Sequence, residues 1–136
     1  MAKTIMIIED EADIRDYLMA VLEDNGYHAC SMEENEPVRQ AMLNHTPDMV
    51  VMDIMMPKRS GISIYKELRA SPEFGNVPVA LITGVAPEIE IMGDGFRLLA
   101  DDPFIEPPDG LFEKPIDINL LMALIEKILT EKETES

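Results

Sequence analysis

Two short apolar runs, residues 4 to 8 and 49 to 52, each end abruptly in carboxylates: Glu9-Asp10-Glu11 after the first and Asp53 after the second. Apolar runs of this length with no polar alternation predict strands buried on both faces, which is the mark of a parallel sheet covered by helices on either side. Helical periodicity separates them. Ile14, Tyr17, Leu18, Val21 and Leu22 recur at the i, i+3, i+4, i+7, i+8 spacing of one buried stripe, and Asn25-Gly26 supplies the stop.

The alternation continues along the chain. Residues 27 to 31 read as a second strand, and Asn35 with Glu36-Pro37 as the cap and first turn of a helix that carries Val38, Ala41 and Met42 inward until Thr46-Pro47. The loop from Met56-Pro57 to Gly61 leads into a helix with Ile62, Tyr65 and Leu68 on its inner face, and residues 77 to 83 form a strand closed by Gly84. Residues 85 to 110 carry Pro87, Gly93, Gly95, Pro103, Pro107, Pro108 and Gly110, too many breaks for one long helix, so this segment is expected to hold one or two short helical pieces. A brief strand at 111 to 113 and a helix from 117 to about 130, with Leu121, Leu124, Ile125, Ile128 and Leu129 on one face, complete the pattern. Strand–helix alternation requires right-handed crossovers, hence an α/β fold with a five-stranded parallel sheet and an atypical fourth helix region.

At 136 residues, 46% of them hydrophobic, the chain is expected to be one domain over residues 1–130 with an acidic tail over 131–136 and no disulfide or structural metal. Charge narrows the partners. With 27 acidic and 11 basic residues the formal net charge is -16, which disfavours direct nucleic-acid binding and docking on an anionic membrane and favours a cation or a basic protein. The N-terminus is too short and charged for a signal peptide, and no apolar run approaches the ~18 residues that span a bilayer, so a cytoplasmic location is expected. The single cysteine, Cys30, reads as a small core residue, His28 and His45 lack metal-ligand spacing, and most methionines, Met6 and Met52 among them, read as core filler.

In open α/β sheets the functional site lies beyond the carboxyl ends of the strands. Each predicted strand end there carries a polar candidate: Glu9 and Asp10, Asp53, Thr83, and Lys114. Three carboxylates in one cleft repel one another unless a cation neutralises them, and Mg²⁺ suits because it takes oxygen ligands and is held by one or two carboxylates plus substrate phosphate. Lys114 and the Thr83 hydroxyl would complement an anion beside that metal.

This set, an apolar strand with Glu9-Asp10-Glu11, then Asp53 with Met56-Pro57 and Gly61, Thr83-Gly84 and Lys114-Pro115, resembles the receiver domain of two-component response regulators over nearly the whole chain. The resemblance implies a doubly wound (βα)5 flavodoxin-like sandwich with strand order 2-1-3-4-5 and a cis bond at Lys114-Pro115. It makes Asp53 the phosphoacceptor, with Glu9, Asp10, Asp53 and the Met55 backbone carbonyl holding Mg²⁺, and Thr83 and Lys114 on the phosphoryl oxygens. The phosphoryl donor is expected to be a phosphohistidine on a sensor histidine kinase or phosphotransfer protein. The implied protein is a stand-alone response regulator, not an enzyme beyond assisting its own phosphorylation and dephosphorylation, that signals by contact with a downstream protein or a second copy of itself.

Some positions depart from the family pattern. The Tyr or Phe usual three residues before the lysine is Leu111 here, and Phe112 beside it is expected to face the other side of its strand. The stretch between Thr83 and Lys114 is longer than usual, and Phe96, Leu98, Leu99, Phe104 and Ile105 are expected to pack an elaborated loop over residues 86–108 that binds a partner or a second copy. Met55 and Val85 flank the approach of water to an acyl phosphate in such domains, and as apolar residues predict slow self-dephosphorylation. The alternatives are a non-phosphorylated, receiver-like binding module and a metal-dependent phosphohydrolase. The second is disfavoured because residue 55 is Met where that chemistry needs an acid/base aspartate. A flavodoxin is excluded because Glu9-Asp10-Glu11 would repel a flavin phosphate.

Overall fold

The computed structural model describes residues 2–33, 35–54, 56, 60–83, 101–102 and 104–135. Among the described residues nine elements follow in order: β1 (Thr4–Ile8), α1 (Ala12–Asp24), β2 (His28–Ser31), α2 (Val38–His45), β3 (Met49–Asp53), α3 (Gly61–Ala70), β4 (Val79–Thr83), β5 (Gly110–Glu113) and α4 (Ile118–Glu135). All strand pairs are parallel, and the sheet order is β2-β1-β3-β4-β5. This is the α/β flavodoxin-like arrangement that the alternation and the resemblance predict.

The period of two along each strand divides the apolar residues between two cores. Met6, Ile8, Val50, Met52, Val79 and Leu81 face the layer of α2 and α3, which contributes Val38, Met42, Ile64, Tyr65 and Leu68. Ile5, Ile7, Met49, Val51, Ala80 and Ile82 face the layer of α1 and α4, which contributes Leu18, Leu22, Leu121, Ile125 and Ile128. Burying each large side chain stabilises by roughly 1.5–3 kcal/mol, so the central strands, with both faces covered, dominate the hydrophobic term. That term fixes the register, because a one-residue slip would exchange every side chain between the two cores.

Several local expectations shift. Asn35 does not cap α2; it takes a left-handed conformation (φ 66°), Pro37 occupies the N-cap, and Glu36 instead accepts a hydrogen bond from the Glu33 N–H at 3.0 Å. β4 begins at Val79, after Pro78, which has no N–H for the ladder. The last helix continues to Glu135, beyond the expected end near residue 130, because Glu and Lys are good helix formers. Asp117 begins it, its Oδ1 accepting from the Leu120 N–H at 3.2 Å. Cys30 is half-buried against the α2/α3 core, and burial raises its thiol to about 11. Most of the expected fourth helix region, with Phe96, Leu98 and Leu99, lies outside the described residues.

A polar clamp at the amino ends of β4 and β5 was not foreseen. The Tyr65 hydroxyl donates to the Glu106 carbonyl at 2.5 Å and accepts from Arg69 Nε at 2.9 Å. The Arg69 guanidinium also donates to the carbonyls of Gly75 and Val77, at 3.1 and 2.6 Å, and meets Asp109 Oδ2 at 3.2 Å. Asp109 Oδ2 in turn accepts from the Val79 N–H at 2.8 Å. Two loop carbonyls, one strand N–H and the segment before β5 are thereby tied to α3. Tyr65→Phe keeps the ring that fills the core but deprives the Glu106 carbonyl of its donor. We expect it to cost about 1 kcal/mol, read as a lower denaturant midpoint at unchanged m-value.

Candidate functional site

The parallel register brings the carboxyl ends of β1, β3, β4 and β5 to one edge of the sheet. Ile8 pairs with Met52, Asp53 with Ile82, and Thr83 with Glu113, so the residues that end or follow these strands emerge side by side. Glu9, Asp53 and Thr83 are the buried polar residues of the described chain, and all three belong to this edge. A fold buries such groups only where other polar groups compensate them.

Lys114 is that compensation. Its Nζ lies 2.7 Å from Asp53 Oδ2 and 3.9 Å from Glu9 Oε2, while its backbone N–H donates to the Thr83 carbonyl at 2.9 Å. The Lys114–Pro115 peptide is cis, as the resemblance implies. The hydrogen bond to Asp53 raises the Lys114 pKa, with the Asp53 and Glu9 charges adding to it, so this ammonium stays charged.

Glu9 is only 5% exposed. Its Oε1 accepts from the Glu11 N–H at 3.2 Å, and Oε2 is buried with no hydrogen-bond partner. Burial pushes its pKa from 4.5 up to about 7; the Glu11 N–H opposes the shift, the Asp53 charge adds to it, and Lys114 offsets part of it. A buried carboxylate oxygen that makes no hydrogen bond and lies next to a second carboxylate is a place for a hard cation. The Glu9 and Asp53 oxygens therefore fit Mg²⁺.

Asp10 is exposed at the start of the β1–α1 turn. Among the described residues no group of three or more His, Cys, Asp or Glu side chains is gathered as a metal cage. Met55 and Val85 lie outside the described residues.

Local structure explains how the start of α3 comes to lie against the end of β3. Ser60 caps α3, its Oγ accepting from the Ser63 N–H at 3.3 Å, and the Gly61 N–H donates to the Ile54 carbonyl at 3.3 Å. A Cβ at Gly61 would collide with the Asp53 carbonyl oxygen and the Ile54 Cα. Only glycine lets the helix begin against the backbone of Asp53. Gly61→Ala is expected to destabilise the chain by about 2 kcal/mol or more, since rigid backbone must move to admit the methyl group, and thermal unfolding measures it.

Arg15 joins the site without having been anticipated: its guanidinium donates to the Glu9 carbonyl at 3.4 Å. A basic residue in an acidic first turn, six positions after Glu9, was the available signal. Leu111 packs against the α2/α3 core and Phe112 into the α1/α4 core. The ring therefore lies on the opposite face of β5 from Leu111, and β5 presents no aromatic side chain where the family usually has one.

Acidic and basic groups gathered at the carboxyl edge of a 2-1-3-4-5 sheet define a CheY-like α/β domain. The family model of the response regulator receiver domain matches residues 5–126, and the chain belongs to that family. It is 30% identical over 129 residues to protein Rrf1 of Nitratidesulfovibrio vulgaris, which covers 95% of this chain and 84% of that protein. It is 31% identical over 135 residues to the phosphate regulon transcriptional regulatory protein PhoB of Escherichia coli, covering 99% of this chain and 58% of PhoB. The solved CheY-like receiver domain protein of Methanospirillum hungatei superposes with a TM-score of 0.77 at 23% identity over the full length of both chains. The protein is thus a receiver domain of two-component signalling, a phosphoacceptor module, and no helix among its described residues is long and apolar enough to cross a membrane.

Proposed function

We propose that this receiver takes a phosphoryl group onto Asp53 from the phosphohistidine of a sensor histidine kinase or phosphotransfer protein, and that it signals in the cytoplasm through phosphorylation-dependent protein contacts. The observation that carries this reading is the 2.7 Å contact between Lys114 Nζ and Asp53 Oδ2, beside the buried Glu9 oxygen that makes no hydrogen bond. A carboxylate is a weak nucleophile toward a phosphoryl group, because both partners are anionic. The site answers this by concentrating positive charge where negative charge gathers in transfer.

Glu9, Asp10, Asp53 and the Met55 carbonyl are the residues we assign to Mg²⁺, which when bound supplies charge neutralisation between carboxylate and phosphate. Asp53 attacks phosphorus, forming an aspartyl–phosphate bond as the bond to the donor nitrogen breaks. Lys114 then exchanges its contact with Asp53 for the transferred oxygens, and the Thr83 hydroxyl donates to a second oxygen. The chain's part is orientation and charge rather than turnover of a free substrate, so it is not an enzyme in the ordinary sense. The Met55 and Val85 side chains cannot orient a hydrolytic water, and Met55→Asn is expected to shorten the lifetime of the phosphorylated protein.

Incubation with Mg²⁺ and acetyl phosphate, followed by intact-mass measurement, tests the reading. The expected result is one phosphoryl adduct that disappears without metal and in Asp53→Ala. No adduct from acetyl phosphate or from a phosphorylated kinase domain would instead support a constitutive, non-phosphorylated binding module.

A further inference from the structure

The segment before β5 is anchored to the fold on the C-terminal side of one exposed aromatic ring. Ile105 is buried in the α2/α3 core, the Glu106 carbonyl accepts the Tyr65 hydroxyl, and Asp109 is held by Arg69 and the Val79 N–H. On the other side, Asp102 Oδ1 accepts the Phe104 N–H at 2.9 Å. Phe104 itself is 89% exposed, the most exposed of the four large hydrophobic side chains that reach the surface among the described residues. A large apolar side chain held outward beside a backbone secured at Ile105, Glu106 and Asp109 is a partly preorganised contact, since part of the backbone entropy is already lost before binding.

The surroundings select the partner. Asp101 and Glu106 are exposed and Asp102 is half-buried, so carboxylates flank the ring along the chain, with no basic residue between positions 101 and 109. An apolar pocket closing over Phe104 would strip water from those carboxylates without replacing it. A cation would use both features, its charge facing the carboxylates and its flat face lying on the ring. Guanidinium suits better than ammonium, because it is planar, more weakly hydrated and stacks on aromatic faces. The protein uses this combination internally: the Arg69 guanidinium carbon lies 4.8 Å from the Tyr65 ring centroid while its nitrogen meets Asp109.

We propose that Phe104 and the carboxylates of Asp101, Asp102 and Glu106 form a docking surface for an arginine side chain of a basic partner protein. The formal charge of -16 draws such a partner and repels a second copy of this chain. The surface is present without phosphorylation, so its test does not depend on the chemistry at Asp53.

Anisotropy titrations of the full, unphosphorylated chain with a labelled arginine–glycine repeat peptide and its lysine–glycine counterpart of equal charge test this directly. The arginine peptide is expected to bind roughly two- to fivefold tighter. Phe104→Leu, which keeps apolar area but loses the aromatic face, should remove that difference, whereas Phe104→Tyr should retain it. Phe104 is open to solvent, so the fold is not at stake. Equal affinity for the two peptides, or an arginine preference untouched by Phe104→Leu, overturns the proposal. So does a dimer in sedimentation that Phe104→Ala dissociates, which would assign the ring to a second copy.

Discussion

Replacement of Lys114 by alanine is expected to slow phosphoryl acceptance from acetyl phosphate about a hundredfold, the usual consequence of deleting one preorganised donor from a site where negative charge develops. The same change exposes the electrostatic design of the resting protein. Asp53 and Glu9 would remain buried as neighbouring carboxylates with their shared cation gone. Breaking a fully buried pair costs roughly 3–5 kcal/mol, but the Lys114 side chain is 30% exposed, so water screens part of the interaction and about 1–2 kcal/mol is expected. For a chain of this size that corresponds to a fall in Tm of roughly 3–8 °C. Mg²⁺ should restore much of the lost stability and little of the lost rate, because the ion replaces the charge but not the donor aimed at the phosphoryl oxygens. Equal rates for Lys114→Ala and wild type in intact-mass time courses would remove Lys114 from the transfer step.

The second large effect is a pH dependence centred on Glu9. Its carboxyl titrates at about 7 in the fold against an ordinary value of 4.5, chiefly because it is buried. Between those values the folded chain holds a proton that the unfolded chain has released. Stability contributed by this group must therefore fall as pH rises from about 4.5 to about 7 and level off above that. At 1.36 kcal/mol per unit the loss amounts to at most about 3 kcal/mol. Glu9→Gln should flatten this part of the stability profile and make the metal-free protein more stable at mildly alkaline pH. The sign reverses for metal binding: Mg²⁺ competes with the Glu9 proton, so its affinity should rise across the same interval and weaken in Glu9→Gln. Denaturant melts across the pH range and calorimetric Mg²⁺ titrations on both proteins measure the two effects. A wild-type profile indistinguishable from that of Glu9→Gln would show that Glu9 ionises normally.

Much of the molecule was legible without coordinates because its strongest signals are local and periodic. Uninterrupted apolar runs at residues 4 to 8 and 49 to 52 can satisfy their hydrophobicity only in the centre of a covered sheet, and Leu18, Leu22, Leu121 and Ile125 recur at helical spacing. A polar residue that directly ends such a run has one place to go, the carboxyl edge. The sequence thus placed Glu9, Asp53, Thr83 and Lys114 at the same edge, and the resemblance named the family. The opposite faces of Leu111 and Phe112 follow from the same two-residue period.

What only the tertiary structure decided depends on distances between residues remote in the chain. Lys114 and Asp53 are 61 positions apart, and no spacing rule states that their side chains meet at 2.7 Å or that Glu9 Oε2 is left without a hydrogen bond. The clamp of Tyr65, Arg69 and Asp109 was invisible for the same reason: its donors and acceptors lie on α3, on the loop before β4 and on the segment before β5, and half of its bonds end on backbone carbonyls that carry no sequence signature. The exposure of Phe104 beside the burial of Ile105 likewise required the fold. In a segment broken by proline and glycine there is no period to read, and the choice between the two side chains is made by which of them reaches the core.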